Sequence, residues 1–248
     1  MAIQASSGSG TSSHSHTAAQ IVLALSGKLQ VRMSSDASYS TCNAVIIPPN
    51  VNHHIIGSGS VEIMIWFDPA TIEARAIRWR SPSKLVPLFE SQIDTSLSQL
   101  LLSSHLYTCG DAIELAKVIT KALLPKCQFV KPLDERIASV VASIREPGLL
   151  SETYPLKHLA QTVNLSAGRL RHLFRQELGV SIQQYWIGHR LLVAIRRFNS
   201  YESLTKIAHD AGFADLPHFS RAFRSSFGMT PSLAAKDSRS VQVIVCED

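Results

Sequence analysis

The chain has 248 residues, 45% of them hydrophobic, which is enough for one large core or two ordinary ones. A formal charge of +5 favours a polyanionic partner. No apolar run reaches membrane-spanning length, and no charged-then-apolar leader opens the chain, so a cytoplasmic protein with no membrane partner is expected. Cys42, Cys109, Cys127 and Cys246 are scattered without paired spacing, which argues against a zinc knuckle or a disulfide framework. The basic excess is uneven: residues 1–130 carry 9 Lys+Arg against 8 Asp+Glu, and residues 131–237 carry 14 against 9.

Taken in order, Met1 to Ser13 is rich in Ser, Gly and Thr and reads as a mobile leader. Ile21 to Leu25 and Lys28 to Met33 read as strands joined by a two-residue hairpin turn at Ser26-Gly27. Ser40 to Ile47, His53 to Ile56 and Ser60 to Phe67 read as three more. Five short strands make a partial barrel whose edge must be covered by helices or by a second copy of the chain. After prolines at 82 and 87, Gln92 to Leu102 and Ala112 to Leu124 read as helices. Pro125 to Pro132 reads as a linker, dividing the chain into residues 14–127 and 128–237. Leu133 to Ile144 is amphipathic, with Ile137, Val140, Val141 and Ile144 on one side.

The second part contains an internal repeat. Ser166, Leu170, Phe174, Leu178, Gly179 and Ser181 recur at an offset of 49 as Asp215, Phe219, Phe223, Phe227, Gly228 and Thr230. Upstream, Leu156, Ala160, Asn164 and Leu165 recur at an offset of 48 as Leu204, Ala208, Gly212 and Phe213. Each copy reads as helix, bend, helix, with Gly212 and Asn164 at the bends because both residue types accept left-handed backbone. Ser166 and Asp215 can cap the second helices, and Pro217 is tolerated in a first turn. Between the copies Ser181 to Asn199 reads as one helix, opened by the capping box Ser181/Gln184. Its nineteen residues would span about 28 Å, against about 34 Å between successive major-groove faces of a duplex.

Three stretches carry a resemblance: L-x-x-L-A at 156–160, S-x-x-x-L-x-x-x-F at 166–174, and A-G-F-x-D-x-x-x-F-S-R-A-F-R-x-x-F-G-M-T-P at 211–231. On these, residues 133–237, about two fifths of the chain, resemble the AraC/XylS family of bacterial transcription regulators. The resemblance implies an α+β chain with an N-terminal cupin-like partial antiparallel β-barrel and helices. It also implies a C-terminal all-α domain of two helix-turn-helix units joined by a long helix. Carried over by position, the base-facing residues are Gly168, Arg171 and His172 in the first unit and Leu216, Pro217, His218 and Arg221 in the second. Gly168 has no side chain and Leu216 and Pro217 are apolar, so these three offer no hydrogen-bond readout. Arg171 can make a bidentate contact with guanine, whereas Arg169, Arg175 and Arg224 suit phosphates. Double-stranded DNA is the implied partner; RNA polymerase, a small-molecule effector and a homodimer mate are the further candidates.

In the first part His14-x-His16, Gln20 and His53, after Pro48-Pro49-Asn50, look like a degenerate cupin set, in which two such histidines, an acid and a third histidine ring a metal. Gln20 stands near the place of the acid and Asn50 replaces the usual glycine. A neutral amide suits zinc or iron less well than a carboxylate, yet three histidines still satisfy the count of a zinc site. The reading is therefore no cofactor, with two alternatives left open: a divalent metal at His14, His16 and His53, or a polar wall that binds an effector or water. The functional expectation is a sequence-specific transcription regulator rather than an enzyme. Its alternative is a small metal-dependent cupin enzyme using the same histidines.

Overall fold

A computed structural model describes residues 2–7, 12–33, 38–58, 61–89, 108–124, 130–146, 155–198, 200, 202–237 and 242–245. The described strands are β1 Ala2–Ser7, β2 Ala19–Ala24, β3 Lys28–Met33, β4 Ser40–Cys42, β5 Ala44–Ile47, β6 His53–Ser58, β7 Val61–Phe67, β8 Val86–Leu88 and β9 Gln242–Val245. They form a six-stranded sheet in the order β8-β5-β2-β7-β1-β9 and a three-stranded sheet in the order β4-β3-β6. Every pairing is antiparallel.

Strand β2 explains the layering. Successive side chains of a strand point to opposite faces, and here both faces are covered. Ala19, Ile21 and Leu23 join Ala44, Ile46, Ile63, Ile65 and Phe67 under two helices, α1 Ile72–Arg80 and α2 Cys109–Leu123. Val22, with Val45 and Ile47 from β5, faces the smaller sheet and meets Leu29, Val31, Val51 and Ile55. The result is helices, large sheet and small sheet in three layers, with the ring of histidines at one end of the inter-sheet space.

Several expectations change. Ser26-Gly27 does not close a hairpin: β2 pairs with β5 and β7 while β3 pairs with β4 and β6, so the turn carries the chain from one sheet to the other. The single strand expected over Ser40 to Ile47 breaks at Asn43 for the same reason, with β4 in the small sheet and β5 in the large one. The leader is not free chain: Ala2–Ser7 pairs with both β7 and β9. Helix α1 had no counterpart in the sequence reading, because its buried face is only Ala74, Ala76 and Ile77 and its outer positions are arginines and an exposed Trp79. The helix expected over Gln92 to Leu102 lies outside the described residues, as does the core of the linker expected at Pro125 to Pro132.

The C-terminal part contains α3 Glu135–Arg145, α4 Leu156–Thr162, α5 Ala167–Leu178, α6 Ile182–Ile195, α7 Leu204–Asp210, α8 Leu216–Phe227 and α9 Pro231–Asp237. Helices α4/α5 and α7/α8 are the two repeated pairs. Their bends turn at Asn164, φ 53°, and Gly212, φ 83°. The joining helix α6 is a shared spine. Its first half gives Ile182, Tyr185 and Trp186 to the core of the first unit, and its second half gives Leu191 and Ala194 to the second. Ile187 touches both. Helix α6 is shorter than expected. Its last turn tightens, with the Arg197 and Phe198 amides donating three residues back to Ala194 and Ile195. The Arg197 guanidinium then binds Glu202 and Asp210, and Phe198 packs on Phe223. Fourteen residues at 1.5 Å each span about 21 Å.

In the second unit Phe219 and Phe223 are buried, with Phe213 5.2 Å from Phe219 and Phe227 4.6 Å from Phe223 between ring centres. Replacing Phe219 with alanine should cost about 3–5 kcal/mol, read from the denaturant midpoint of the full chain. A loss below about 1 kcal/mol would mean that these rings are not the core of the unit.

Candidate nucleic-acid interface and histidine cluster

The second helix of each repeated pair, α5 and α8, is bracketed by the same devices. The Ser166 hydroxyl accepts from the Arg169 amide at the start of α5, and the Asp215 carboxylate accepts from the His218 amide at the start of α8. Both helices end in left-handed glycines, Gly179 with φ 75° and Gly228 with φ 68°, whose amides donate to the Arg175 and Arg224 carbonyls.

In α5, Gly168, Arg169, Arg171, His172 and Arg175 are exposed. In α8, Pro217, Arg221 and Arg224 are exposed, whereas Leu216 is half-buried against the core of the unit and the half-buried His218 ring lies edge-on to Phe213 at 5.3 Å. None of the five arginines forms an ion pair among the described residues, so their charge faces solvent. Arg175, a turn beyond Arg171, also lines a cleft of about 440 Å³ with Met33, Asn50, Pro82 and Gly179, at the junction of the two parts. The structure thus spreads exposed basic side chains over both α5 and α8, and Leu216 and His218 are the least available of the positions carried over from the resemblance.

The opposite ends of these helices are held by the N-terminal part. Arg78 in α1 donates from both terminal nitrogens to the Glu177 and Gln176 carbonyls at the end of α5, at 2.9 and 3.0 Å. A cationic group there complements the helix dipole and satisfies carbonyls that have no partner within the helix. Arg75 binds the Lys131 carbonyl and lies 3.9 Å from the buried Glu177 carboxylate. Asp68, just after β7, accepts from the Tyr185 hydroxyl at 2.8 Å and pairs with Arg145 at 3.1 Å. Burial first, and Asp68 next, push the Tyr185 phenol well above its ordinary range, so it remains a donor. Sequence reading missed Asp68, Arg75 and Arg78, since contacts across about 100 residues leave no local pattern.

His14, His16 and His53 do converge. Their rings are 4.3 to 5.7 Å apart, centre to centre, all three are buried, and one nitrogen from each lies within 4.8 Å of the others. Each Nδ1 is 2.8 to 2.9 Å from a backbone carbonyl, of Ser12, Ala18 and Val51 respectively. A carbonyl only accepts, so Nδ1 carries the proton and the lone pair of each ring is on Nε2. His53 Nε2 is fully buried and has no hydrogen-bond partner among the described residues. His16 Nε2 lies 3.0 Å from Gln20 Oε1; with Nδ1 protonated, that contact requires the Gln20 amide to present its NH2. Burial, and then the neighbouring histidines, hold the His14 imidazole down at about 4 and that of His53 far below its usual range; burial also lowers His16. Three neutral imidazoles, oriented through Nδ1 by backbone acceptors, are the donor set that zinc, iron, copper or nickel accepts. The residues present fit such an ion, and Gln20 brings a neutral amide where a carboxylate would be the better ligand.

Comparison with known proteins agrees with this architecture. A family profile described as a helix-turn-helix domain matches residues 159–236. The arabinose operon regulatory protein of Escherichia coli is 31% identical over 102 residues, covering 41% of this chain and 35% of that protein. The chain thus spans about a third of that relative. LumQ of Photobacterium leiognathi, named a probable transcriptional regulator, is 24% identical over 230 residues, covering 88% and 90%. Among solved structures, ToxT of Vibrio cholerae superposes with a TM-score of 0.61 at 14% identity, over 95% of this chain and 96% of that one, a likeness of fold that includes the N-terminal part. Residues 159–236 thus match a helix-turn-helix domain, which the structure builds as two helix-turn-helix units, and the N-terminal part shares the fold of ToxT.

Tyr185→Phe removes one donor to a carboxylate that bridges the two parts. Hydrogen bonds to charged groups contribute about 1.5–3 kcal/mol, and a loss in that range is expected on chemical denaturation of the full chain. A loss below about 0.5 kcal/mol would show that the hydroxyl does not hold the parts together.

Proposed function

We propose that the chain is a sequence-specific DNA-binding transcription regulator whose two helix-turn-helix units dock in adjacent major grooves of one duplex. The observation that carries this is the paired exposure of basic side chains on α5 and α8, two helices built by one repeat and fixed on one spine. Arg171 reads a base, with Gly168 and His172 beside it. Pro217 and Arg221 form the corresponding surface of α8, and Arg169, Arg175 and Arg224 meet phosphates. A cytoplasmic location goes with this reading.

The N-terminal domain sets the activity of the reading helices. We assign the histidine cluster to a regulatory divalent metal held by His14, His16 and His53. What such an ion supplies is cross-linking of strand segments by three coordinate bonds. The relatives are named as transcription regulators, which supports regulation rather than turnover at this site. The cleft lined by Asn50 and Arg175 is where a small-molecule effector would touch both domains.

Selection of DNA fragments by the full chain, followed by binding titrations, tests the assignment. Affinity should be nanomolar and fall steeply with salt. Arg171→Ala should relax preference at one base pair, losing about 1–3 kcal/mol of discrimination, while Arg169→Ala should weaken every sequence alike. If both variants weaken all fragments equally, Arg171 does not read a base.

A further inference from the structure

The two loops that bring the histidines together are also the loops on which both reading helices end. The segment carrying His14 runs against α8. The Ser12 amide and hydroxyl both donate to the Gly228 carbonyl, at 3.1 and 2.6 Å, and the Ser15 amide donates to the Ser225 carbonyl at 3.3 Å. The approach is so close that a Cβ on Gly228 would collide with the Ser12 carbonyl and come within 2.8 Å of His14 Nδ1. Two residues further along, Thr17 packs on the spine: a Cβ on Gly188 of α6 would lie 2.8 Å from its hydroxyl.

The loop leading into His53 runs against α5. Asn50 has φ 60°, and its side-chain amide donates to the Gly179 carbonyl at 3.2 Å. A glycine at position 50 would take the same backbone shape but could not make that bond. The departure from the usual cupin residue is therefore a contact with the first reading helix. Both paths from the cluster are short. From His14, one hydrogen bond through Nδ1 reaches Ser12, and Ser12 reaches Gly228. From the His16 carbonyl, one hydrogen bond reaches the Asn50 amide at 2.8 Å, and Asn50 reaches Gly179. The seam between the two loops also carries a pair of backbone hydrogen bonds between His14 and His53, at 3.0 and 2.9 Å, and one from the Ser13 hydroxyl to the Asn52 side-chain oxygen.

We propose that the histidine cluster is a clasp coupling metal occupancy to DNA binding: a divalent ion at His14, His16 and His53 fixes the two loops to each other and thereby fixes α5 relative to α8. The contacts fall at the C-terminal caps and leave the exposed residues nearer the N-terminal ends, Gly168, Arg169 and Arg171 of α5 and Pro217 and Arg221 of α8, free for the grooves. An ion that stiffens the clasp removes freedom that docking would otherwise have to remove, and so strengthens binding. The gain belongs to fragments that engage both helices, because one helix alone has no spacing to fix. Linkage makes the effect reciprocal, so DNA raises metal affinity by the same factor. The inference rests on the metal reading of the cluster given above.

The test uses the full chain, a selected DNA fragment spanning both grooves, a truncated fragment spanning one, and zinc ion alone as probe. Zinc stoichiometry and affinity are measured by calorimetry, and DNA affinity by fluorescence anisotropy with zinc or with chelator. The expectation is one zinc per chain, at least a tenfold gain in affinity for the two-groove fragment, and less than a twofold gain for the one-groove fragment. The double variant Ser12→Ala, Asn50→Ala keeps all three ligands; it should bind zinc as before while its gain on DNA falls below threefold. His53→Gln should lose both zinc and the gain. Stoichiometric zinc with DNA affinity unchanged or weakened overturns the clasp and leaves the metal reading intact. Equal gains on both fragments, or an undiminished gain in the double variant, also overturn it. Failure to bind zinc overturns the metal reading, and the clasp with it.

Discussion

The structure depends on the left-handed glycine that ends each second helix of the repeat, Gly179 after α5 and Gly228 after α8. An L side chain is strained at positive φ and carries a Cβ; glycine is free of both restrictions. At Gly179 the space a Cβ would take is filled by the Arg78 side chain, with Nε 2.5 Å from where that atom would be, and at Gly228 it is filled by Ser12 and His14. The two caps are thus docking faces as well as helix ends. They let the N-terminal domain hold both repeated units by their carbonyl ends, where a helix presents its unsatisfied acceptors.

Charge is divided accordingly. Arg75, Arg78 and Arg145 are directed between the domains and meet carbonyls or carboxylates. Arg169, Arg171, Arg221 and Arg224 are exposed on α5 and α8 and form no ion pair among the described residues. The partial burial of Arg75 and Asp68 makes the inner set sensitive to loss of a partner, since a desolvated charge left alone costs more than the pair contributed.

Local signals made the C-terminal domain legible. The phenylalanine spacing, the caps at Ser166 and Asp215, and the bends at Asn164 and Gly212 each depend on residues within a turn or two, and each lies where the repeat put it. The barrel was legible as strands but not as sheets. Whether Ser26-Gly27 closes a hairpin or carries the chain between layers depends on which partner covers β2, and that is decided by β5 and β7. The end of α6 was misplaced because Arg197 and Phe198 are adequate helix formers whose tertiary partners, Asp210 and Phe223, draw them out of it. The histidines were legible as a set through their resemblance to a cupin pattern. That the loops carrying them meet both glycine caps, through Ser12 and Asn50, was not, because those contacts join residues more than 100 positions apart.

Two repeated helix pairs thus share one spine and are held at their carbonyl ends by the N-terminal domain. The most direct check of the central claim, that α5 and α8 engage one duplex together, is a hydroxyl-radical footprint of the full chain on a selected fragment. Two protected patches on one face, centred about 10 base pairs apart, are the expected result. A single patch, or two on opposite faces of the helix, would contradict it.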